Sequence, residues 1–146
     1  MALIEWSDEF SVDIPLIDKQ HMILIRAINL LALAVQHNSS RELMQEIFVT
    51  LRDYTDTHFA YEEELFDRFD YPDTEEHKAQ HRALLHKVVD LEHHWRAGQA
   101  EIGPEVLKFL VDWLRNHILG SDKKYSRFLV DALGTVVPKA SKSRLF

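Results

Sequence analysis

Nine histidines and no cysteine stand out in this 146-residue sequence. The absence of thiols excludes disulfides, a catalytic thiolate, cysteine-ligated zinc and protein-ligated iron–sulfur clusters. Imidazole, by contrast, is the commonest metal ligand among the side chains that titrate near neutral pH. Two pairs have helical spacing, because His58 precedes Glu62 and His77 precedes His81 by four residues. Side chains four residues apart stack on one helix face, so either pair could bind one metal ion or two adjacent ions.

A third pair, His117 and Asp122, is five residues apart. On a regular α-helix this spacing turns the two side chains about 140° away from each other. One inserted residue in a π-type bulge brings positions five apart back onto one face, and such bulges are frequent at functional sites. Gly120-Ser121 lies between the two residues. The sequence therefore predicts a local distortion of the helix at this point.

These side chains, together with His21, fall on the apolar stripes of predicted helices. A buried polar group without a partner costs roughly 1–3 kcal/mol, so the five inward-facing histidines need something that satisfies them together. The complete inward-facing set comprises His21, His58, Glu62, His77, His81, His117 and Asp122. Five imidazoles and two carboxylates overfill a tetrahedral zinc site. With one bridging oxygen they fill two octahedral ions except at a single position, where an external ligand could bind.

The elements that must position these donors are helices, because apolar residues recur at intervals of three and four nearly throughout. The first predicted helix spans about residues 18–37. Ser39 and Glu42 fit a capping box that begins the second helix, and Tyr71-Pro72-Asp73 ends it. The third helix begins at about residue 74, and Gly103-Pro104 separates it from the fourth. Short connections between four such helices predict an all-α, up-down-up-down antiparallel four-helix bundle.

The chain length is typical of a single domain. We expect one domain over residues 1–146, with an N-terminal arm over 1–17, the bundle over about 18–132 and a C-terminal tail over 133–146. The apolar residues of the arm are expected to pack along the bundle. They are Ile4, Trp6, Phe10, Val12 and Ile14.

Acidic side chains outnumber basic ones, 24 against 17, which gives a formal charge of −7. This charge disfavours binding to nucleic acid or to anionic membranes. The N-terminus lacks the positive charge and the apolar stretch of a signal peptide, and the longest apolar run, Leu30 to Val35, is too short to cross a bilayer. We therefore expect a cytoplasmic protein without membrane insertion.

The sequence resembles the hemerythrins, whose ligand signature is matched in order and spacing by His21, His58-x3-Glu62, His77-x3-His81 and His117-x4-Asp122. The segment that runs from Trp6 through Val12-Asp13-Ile14 to Gln20-His21 is similar to the opening of the bacterial members. The resemblance covers roughly residues 6–130.

This resemblance implies a non-haem di-iron centre with an oxo or hydroxo bridge that binds dioxygen reversibly. It assigns one iron to His77, His81 and His117, the iron with the open position to His21 and His58, and the bridges to Glu62 and Asp122. Leu114 and Ile118 match positions that line the oxygen pocket of the family. The expected function is oxygen transport, storage or delivery, not enzymatic catalysis. We expect a monomer that binds dioxygen and has an oxygen-consuming enzyme as a candidate partner.

Two alternative functions are open. A di-iron oxidase typically uses Glu-x-x-His pairs, and this sequence contains none. The other alternative is an oxygen or redox sensor, or an iron-storage protein. Sensors usually carry an additional output domain, for which 146 residues leave no room.

Other polar residues are interpreted more simply. The remaining histidines are expected to be surface or packing residues, and they are His37, His86, His93 and His94. Glu63-Glu64 is interpreted as a solvated face. Asp18-Lys19-Gln20 could cap the first helix or orient a ligand, and the sequence does not separate these two roles.

Overall fold

The predicted all-α architecture is confirmed. The computed structural model describes residues 3–136, with side chains through residue 134, and this part of the chain contains helices and no strand. The elements are a short 3₁₀ turn at Asp8–Phe10, α1 at Pro15–Gln36, α2 at Arg41–Phe69, α3 at Thr74–Arg96, α4 at Pro104–His117, a π-helical turn at Ile118–Asp122, and α5 at Lys123–Val136. The last three follow one another without a break and form the fourth long helix of the bundle.

The N-terminal arm is fastened to α1 by Asp18. The carboxylate of Asp18 accepts hydrogen bonds from the backbone N–H of Val12 at 2.9 Å and from the hydroxyl of Ser11 at 2.6 Å. Pro15 occupies the start of α1, where its missing N–H costs nothing, so the helix begins earlier than the predicted residue 18. The arm packs on the bundle as expected, with Trp6 half-buried and with Ile4, Phe10, Val12 and Ile14 buried.

The junction between α1 and α2 differs from the predicted capping box. Asn38 adopts a left-handed conformation with φ 50°, and Ser39 donates its backbone N–H to Ala34 O at 3.0 Å. This hydrogen bond and the left-handed residue before it form a Schellman motif, which ends α1 and occupies the backbone N–H of Ser39. Ser40 therefore caps α2, its hydroxyl accepting from the backbone N–H of Leu43 at 3.2 Å. The prediction that Ser39 caps the second helix was wrong because the chain needs that residue to end the first.

The other helix boundaries follow the sequence more closely. α3 begins at Thr74, and Pro104 stands at the start of α4, as predicted. α5 continues to Val136, beyond the predicted end of the bundle at about residue 132, and the rest of the predicted tail lies outside the described residues. No helix within residues 3–136 combines the length and the apolar character needed to span a membrane.

Two apolar clusters fill the bundle, and the predicted donors lie between them. The larger cluster includes Leu24, Leu84 and Leu110, and the smaller includes Ile17, Leu65 and Tyr125. On α1, α2 and the fourth long helix the donors lie where one cluster gives way to the other, and on α3 they precede the residues of the larger cluster. The fold thus places a polar layer inside the core with apolar packing at both ends.

Candidate metal centre

The structure brings all seven predicted donors together in the bundle interior. All are buried, with His21 and Glu62 fully inaccessible to solvent. They form two overlapping groups, one of Glu62, His77, His81 and His117 and the other of His21, His58, Glu62 and Asp122. Within each group, one ligand atom from every residue lies within 4.8 Å of the others. Either group could therefore hold a metal ion.

The predicted helix distortion is confirmed. Residues Ile118–Asp122 form a single π-helical turn between α4 and α5. This turn brings the Oδ1 atom of Asp122 to 3.1 Å from Nε2 of His117, although the two residues are five positions apart. Without the additional residue in this turn, the carboxylate would point away from the histidine.

Each of the two carboxylates spans both groups. Oδ1 of Asp122 lies 3.1 Å from Nε2 of His77, whereas its Oδ2 lies 3.0 Å from Nε2 of His21. Glu62 divides its oxygens in the same way, with Oε1 3.2 Å from Nε2 of His81 and Oε2 3.5 Å from Nε2 of His58. One oxygen of each carboxylate thus faces each group, which is the arrangement needed to bridge two adjacent ions.

The cluster contains buried polar atoms that the protein does not satisfy. Six such atoms within the described residues lack a hydrogen-bond partner: Nδ1 and Nε2 of His21, Oε1 of Glu62, Nε2 of His77, and both carboxylate oxygens of Asp122. Buried polar groups are normally hydrogen-bonded, and each unmet group costs about 1–3 kcal/mol. Most of these atoms converge on the interior of the cluster, where cations would satisfy them at once. The residues present therefore fit a pair of metal ions held by nitrogen and oxygen.

Burial also sets the protonation of two of the histidines. Burial lowers the pKa of His58 to about 4 and that of His81 to about 3, against an ordinary value of 6.5. Both imidazoles are consequently neutral at physiological pH, which is the form that binds metal.

The Asp122 carboxylate has the opposite effect on its neighbours. Burial works to lower the pKa of His21, but Asp122, together with Glu62 and Asp18, outweighs it and the pKa is raised. Burial likewise works to raise the pKa of Asp122, and His117 with the other nearby imidazoles holds it well below its usual range. Asp122 is therefore a carboxylate, available as an anionic ligand.

Two side chains beside the donor set orient its imidazoles. Nδ1 of His58 lies 2.6 Å from Oε1 of Gln20, and Nδ1 of His81 lies 2.8 Å from Oε2 of Glu63. Gln20 thus takes the orienting role. The alternative that this segment caps α1 was wrong, because Ile14 is the N-cap and Asp18 instead binds the N-terminal arm. The interpretation of Glu63 as part of a solvated face was wrong, because its side chain is only 29% exposed and reaches across to α3.

Tyr125 is a further residue of the site, and the donor spacing did not indicate it. This fully buried residue of α5 donates its hydroxyl to Oε2 of Glu62 at 2.5 Å, and burial raises its pKa well above the usual value. Its spacing from Asp122 is three residues, so continuation of the fourth apolar stripe past His117 could have indicated it.

Aromatic rings stack on the imidazoles of two of the histidines. Phe59 stacks on His81, with ring centroids 3.7 Å apart and an angle of 4° between the planes. Trp113 stacks on His117 at 4.3 Å and 15°. These contacts restrict the rotation of both imidazoles.

An apolar cavity of about 40 Å³ adjoins the cluster. Its donor wall consists of His21, His58, His117 and Asp122, and its other lining residues include Leu24, Ile28 and Leu114. A space of this size exceeds the ~10–15 Å³ that one water molecule requires. Of the two predicted oxygen-pocket residues, Leu114 lines the cavity, whereas Ile118 is fully buried but does not line it.

Comparison with known proteins places this geometry in a family. Residues 12–129 match the family described as hemerythrin HHE cation binding domain. The chain belongs to the hemerythrin family. Bacteriohemerythrin from Stenotrophomonas maltophilia (strain R551-3) is 36% identical over 126 residues, which cover 86% of this chain and 81% of that protein. Bacteriohemerythrin from Methylococcus capsulatus (strain Bath) is 32% identical over 86% of this chain and 95% of its own length.

A solved wild-type hemerythrin crystal structure has the same fold as this chain. The TM-score is 0.84 at 32% sequence identity, and the match covers 88% of this chain and 98% of the other. The resemblance read from the donor spacing is therefore confirmed at the level of the family and of its four-helix fold. The role of each hemerythrin-like donor as a metal ligand stays a prediction.

The histidines outside the cluster are exposed. His37 ends α1, His86 lies on the outer face of α3, and His93 and His94 lie in its last turn. Their placement agrees with the interpretation as surface residues.

Proposed function

We propose that this hemerythrin-family chain binds dioxygen reversibly at a pair of non-haem irons. The observation that carries the proposal is the sharing of Glu62 and Asp122 between two donor groups that adjoin an apolar cavity. Two bound irons with an oxo or hydroxo bridge would supply the electrons on which reversible dioxygen binding depends. The protein would supply the ligands, the dry cavity and the separation from solvent.

The cavity supports an unequal division of roles between the two donor groups. It is lined by both histidines of one group, His21 and His58, but by only one of the three histidines of the other, His117. We infer that His77, His81 and His117 would hold one ion, and that His21 and His58 would hold the other on the side of the cavity, where an external ligand could reach it. Glu62 and Asp122 would bridge the two.

The cavity wall also favours retention of a bound gas molecule. Arg52 and Thr55 also line the cavity, but most of its wall is apolar. Leu24, Ile28 and Leu114 offer no group that could carry a proton to the donors. Excluding water slows protonation and hydrolysis of what is bound inside. These residues would therefore limit irreversible oxidation of the centre.

The donor chemistry favours an oxygen carrier over an oxidase. Five neutral imidazoles and two carboxylates leave two oxidised ions with more positive charge than a carboxylate-rich set would. This disfavours the strongly oxidising states that oxidases require. We infer a role in transport, storage or delivery of dioxygen, and an oxygen or redox sensor or an iron store is the alternative.

Metal analysis combined with optical spectroscopy under cycled oxygen tests the proposal. We expect about two irons per chain and charge-transfer bands that form in air and vanish on deoxygenation. Recovery of zinc alone, a single iron per chain, or irreversible bleaching in the first cycle would refute it.

A further inference from the structure

A second cleft reaches the donor cluster and differs in character from the apolar cavity. It encloses about 20 Å³, which is enough for one water molecule or one dehydrated ion, and shares no lining residue with the apolar cavity. Its inner end is His77, a 3% exposed member of the donor set whose Nε2 atom has no hydrogen-bond partner. The remaining wall consists of Tyr71, Asp73, Glu76, Gln80, Ser121 and Lys124.

The outer part of this cleft carries two carboxylates and one ammonium group. Asp73, which directly precedes α3, and Glu76 in its first turn line the cleft, and Nζ of Lys124 lies 2.9 Å from Oδ2 of Asp73. Asp73 stands at the N-cap of α3 but makes no side-chain capping hydrogen bond. Its carboxylate is instead directed to Lys124, and both side chains are substantially exposed, at 40% and 58%.

The inner part is lined by neutral oxygen ligands. Ser121 donates its hydroxyl to Oε1 of Gln80 at 2.5 Å, and Ser121 lies in the π-helical turn directly before Asp122. Carboxylate, amide and hydroxyl oxygens can replace the water molecules of a divalent cation in succession. The apolar cavity is lined mainly by aliphatic and aromatic side chains and also contains the cationic Arg52, so moving an ion through it would carry a large desolvation cost.

We propose that this cleft is the route by which divalent metal ions enter and leave the buried centre. Asp73 and Glu76 attract the ion at the outer end of the cleft, and Lys124 repels it there. Gln80 and Ser121 bind the ion further inward. The two openings then admit different species. The apolar cavity admits an uncharged gas, and the polar cleft admits a cation. This inference rests on the metal-binding part of the proposed function and is independent of dioxygen binding.

Exchange kinetics of Co²⁺ test the route, because Co²⁺ is detected by its ligand-field absorption and needs no oxygen chemistry. To measure release, full-length protein loaded with Co²⁺ is mixed with chelator at concentrations so high that the release rate no longer depends on the chelator. Uptake is measured separately, by adding Co²⁺ to the metal-free protein. Asp73→Asn and Glu76→Gln should each slow both uptake and release by about threefold, the size expected for one partly exposed charge. Lys124→Gln should accelerate both by a similar factor. Because a route affects entry and exit equally, the equilibrium affinity and the number of ions bound should stay unchanged.

Two matched variants control for overall charge. Glu75→Gln removes a carboxylate from the same turn of α3 but outside the cleft, and Lys19→Gln removes an exposed ammonium group on α1. Rates in the cleft variants that equal those of these controls would overturn the route. A change in release without a matching change in uptake would also overturn it, since the residue would then act on the bound state. Failure of the wild-type protein to hold Co²⁺ would overturn the proposed metal centre itself, so the two failures are distinguishable.

Discussion

Oε2 of Glu63 lies 2.8 Å from Nδ1 of His81, so a partly exposed carboxylate on α2 holds a buried imidazole on α3. The bond makes Nδ1 the protonated nitrogen, which leaves Nε2 free for a metal ion. On the other donor group the corresponding partner of His58 is the neutral amide of Gln20. The two halves of the centre therefore differ in the charge that supports their imidazoles.

This relationship predicts that Glu63→Ala weakens metal binding. Loss of the orienting carboxylate should reduce affinity for the ion held by His81 by about tenfold to a hundredfold. Glu63→Gln should lose less, because an amide oxygen can still accept the hydrogen bond. Metal titration of each variant measures the change, and Glu64→Ala on the exposed side of α2 is the control. Equal affinities for the Glu63 and Glu64 variants would contradict the orienting role.

Because each carboxylate oxygen of Asp122 faces a different donor group, replacing this residue is predicted to weaken the binding of both metal ions. Asp122→Ala or Glu62→Ala should remove a bridge and leave imidazoles to hold two adjacent cations without the charge that screens them. We expect well below two irons per chain after purification, measured by elemental analysis. Asp131→Ala, an exposed carboxylate on α5, should keep the full metal content. Retention of both irons in the Asp122 variant would show that this carboxylate is not a bridge.

The cavity lining predicts faster autoxidation in Leu114→Ala. The substitution enlarges the dry space beside the donors and admits water, at a cost of about 2–5 kcal/mol in stability. We expect the metal content to be kept and the lifetime of the oxygenated form, followed optically, to shorten. Ile118→Ala should act in the same direction but more weakly, because Ile118 does not line the cavity.

Leu107→Ala is the matched control for this effect. Leu107 is a buried residue of α4 that loses the same atoms but lies away from the cavity. It should lower stability without shortening the oxygenated lifetime. Equal lifetimes for the Leu114 and Leu107 variants would refute the assignment of the cavity.

The lowered pKa values of His58 and His81 predict that the metal-free protein loses stability in mild acid. Below about pH 6.5 the unfolded chain protonates both residues, whereas the folded chain holds them neutral down to about 4 and about 3. The free energy of unfolding therefore falls as the pH falls through this window. His21, whose pKa is raised in the folded state, opposes the trend only above about pH 6.5, because below that pH it is protonated in both states. With two protons bound by the unfolded chain and not by the folded one, the slope approaches roughly 2–3 kcal/mol per pH unit well below pH 6.5.

Urea unfolding of the metal-free chain between pH 8 and pH 5 measures this slope. The variant His86→Gln, which removes an exposed histidine, should show the same pH dependence as the parent. A free energy of unfolding that is flat below pH 6.5 would contradict the neutral, buried state of His58 and His81.

Some features of the interior could not be read from apolar periodicity. Glu92 is 4% exposed on α3, where it accepts hydrogen bonds from Arg52 and from Gln45 and pairs with Arg96. The spacing of three and four residues that runs through Leu84 and Val88 predicts that Leu91, the neighbour of Glu92, faces the core, but Leu91 is only half-buried. An acidic residue at this position is buried because basic and amide side chains of two helices meet there, and that coincidence is not visible in a single helical segment.

The sequence by itself determined the helices, the inward donor set and the need for a distorted turn before Asp122, because helical period and donor type are properties of short segments. It did not determine the ends of every helix, because the backbone of Ser39 ends α1 and its side chain does not cap α2. Only the tertiary structure decided that Glu63 reaches His81, that Tyr125 reaches Glu62, and that the donors adjoin one apolar and one polar opening. These relations depend on the directions in which side chains from separate helices meet, and helix packing sets those directions.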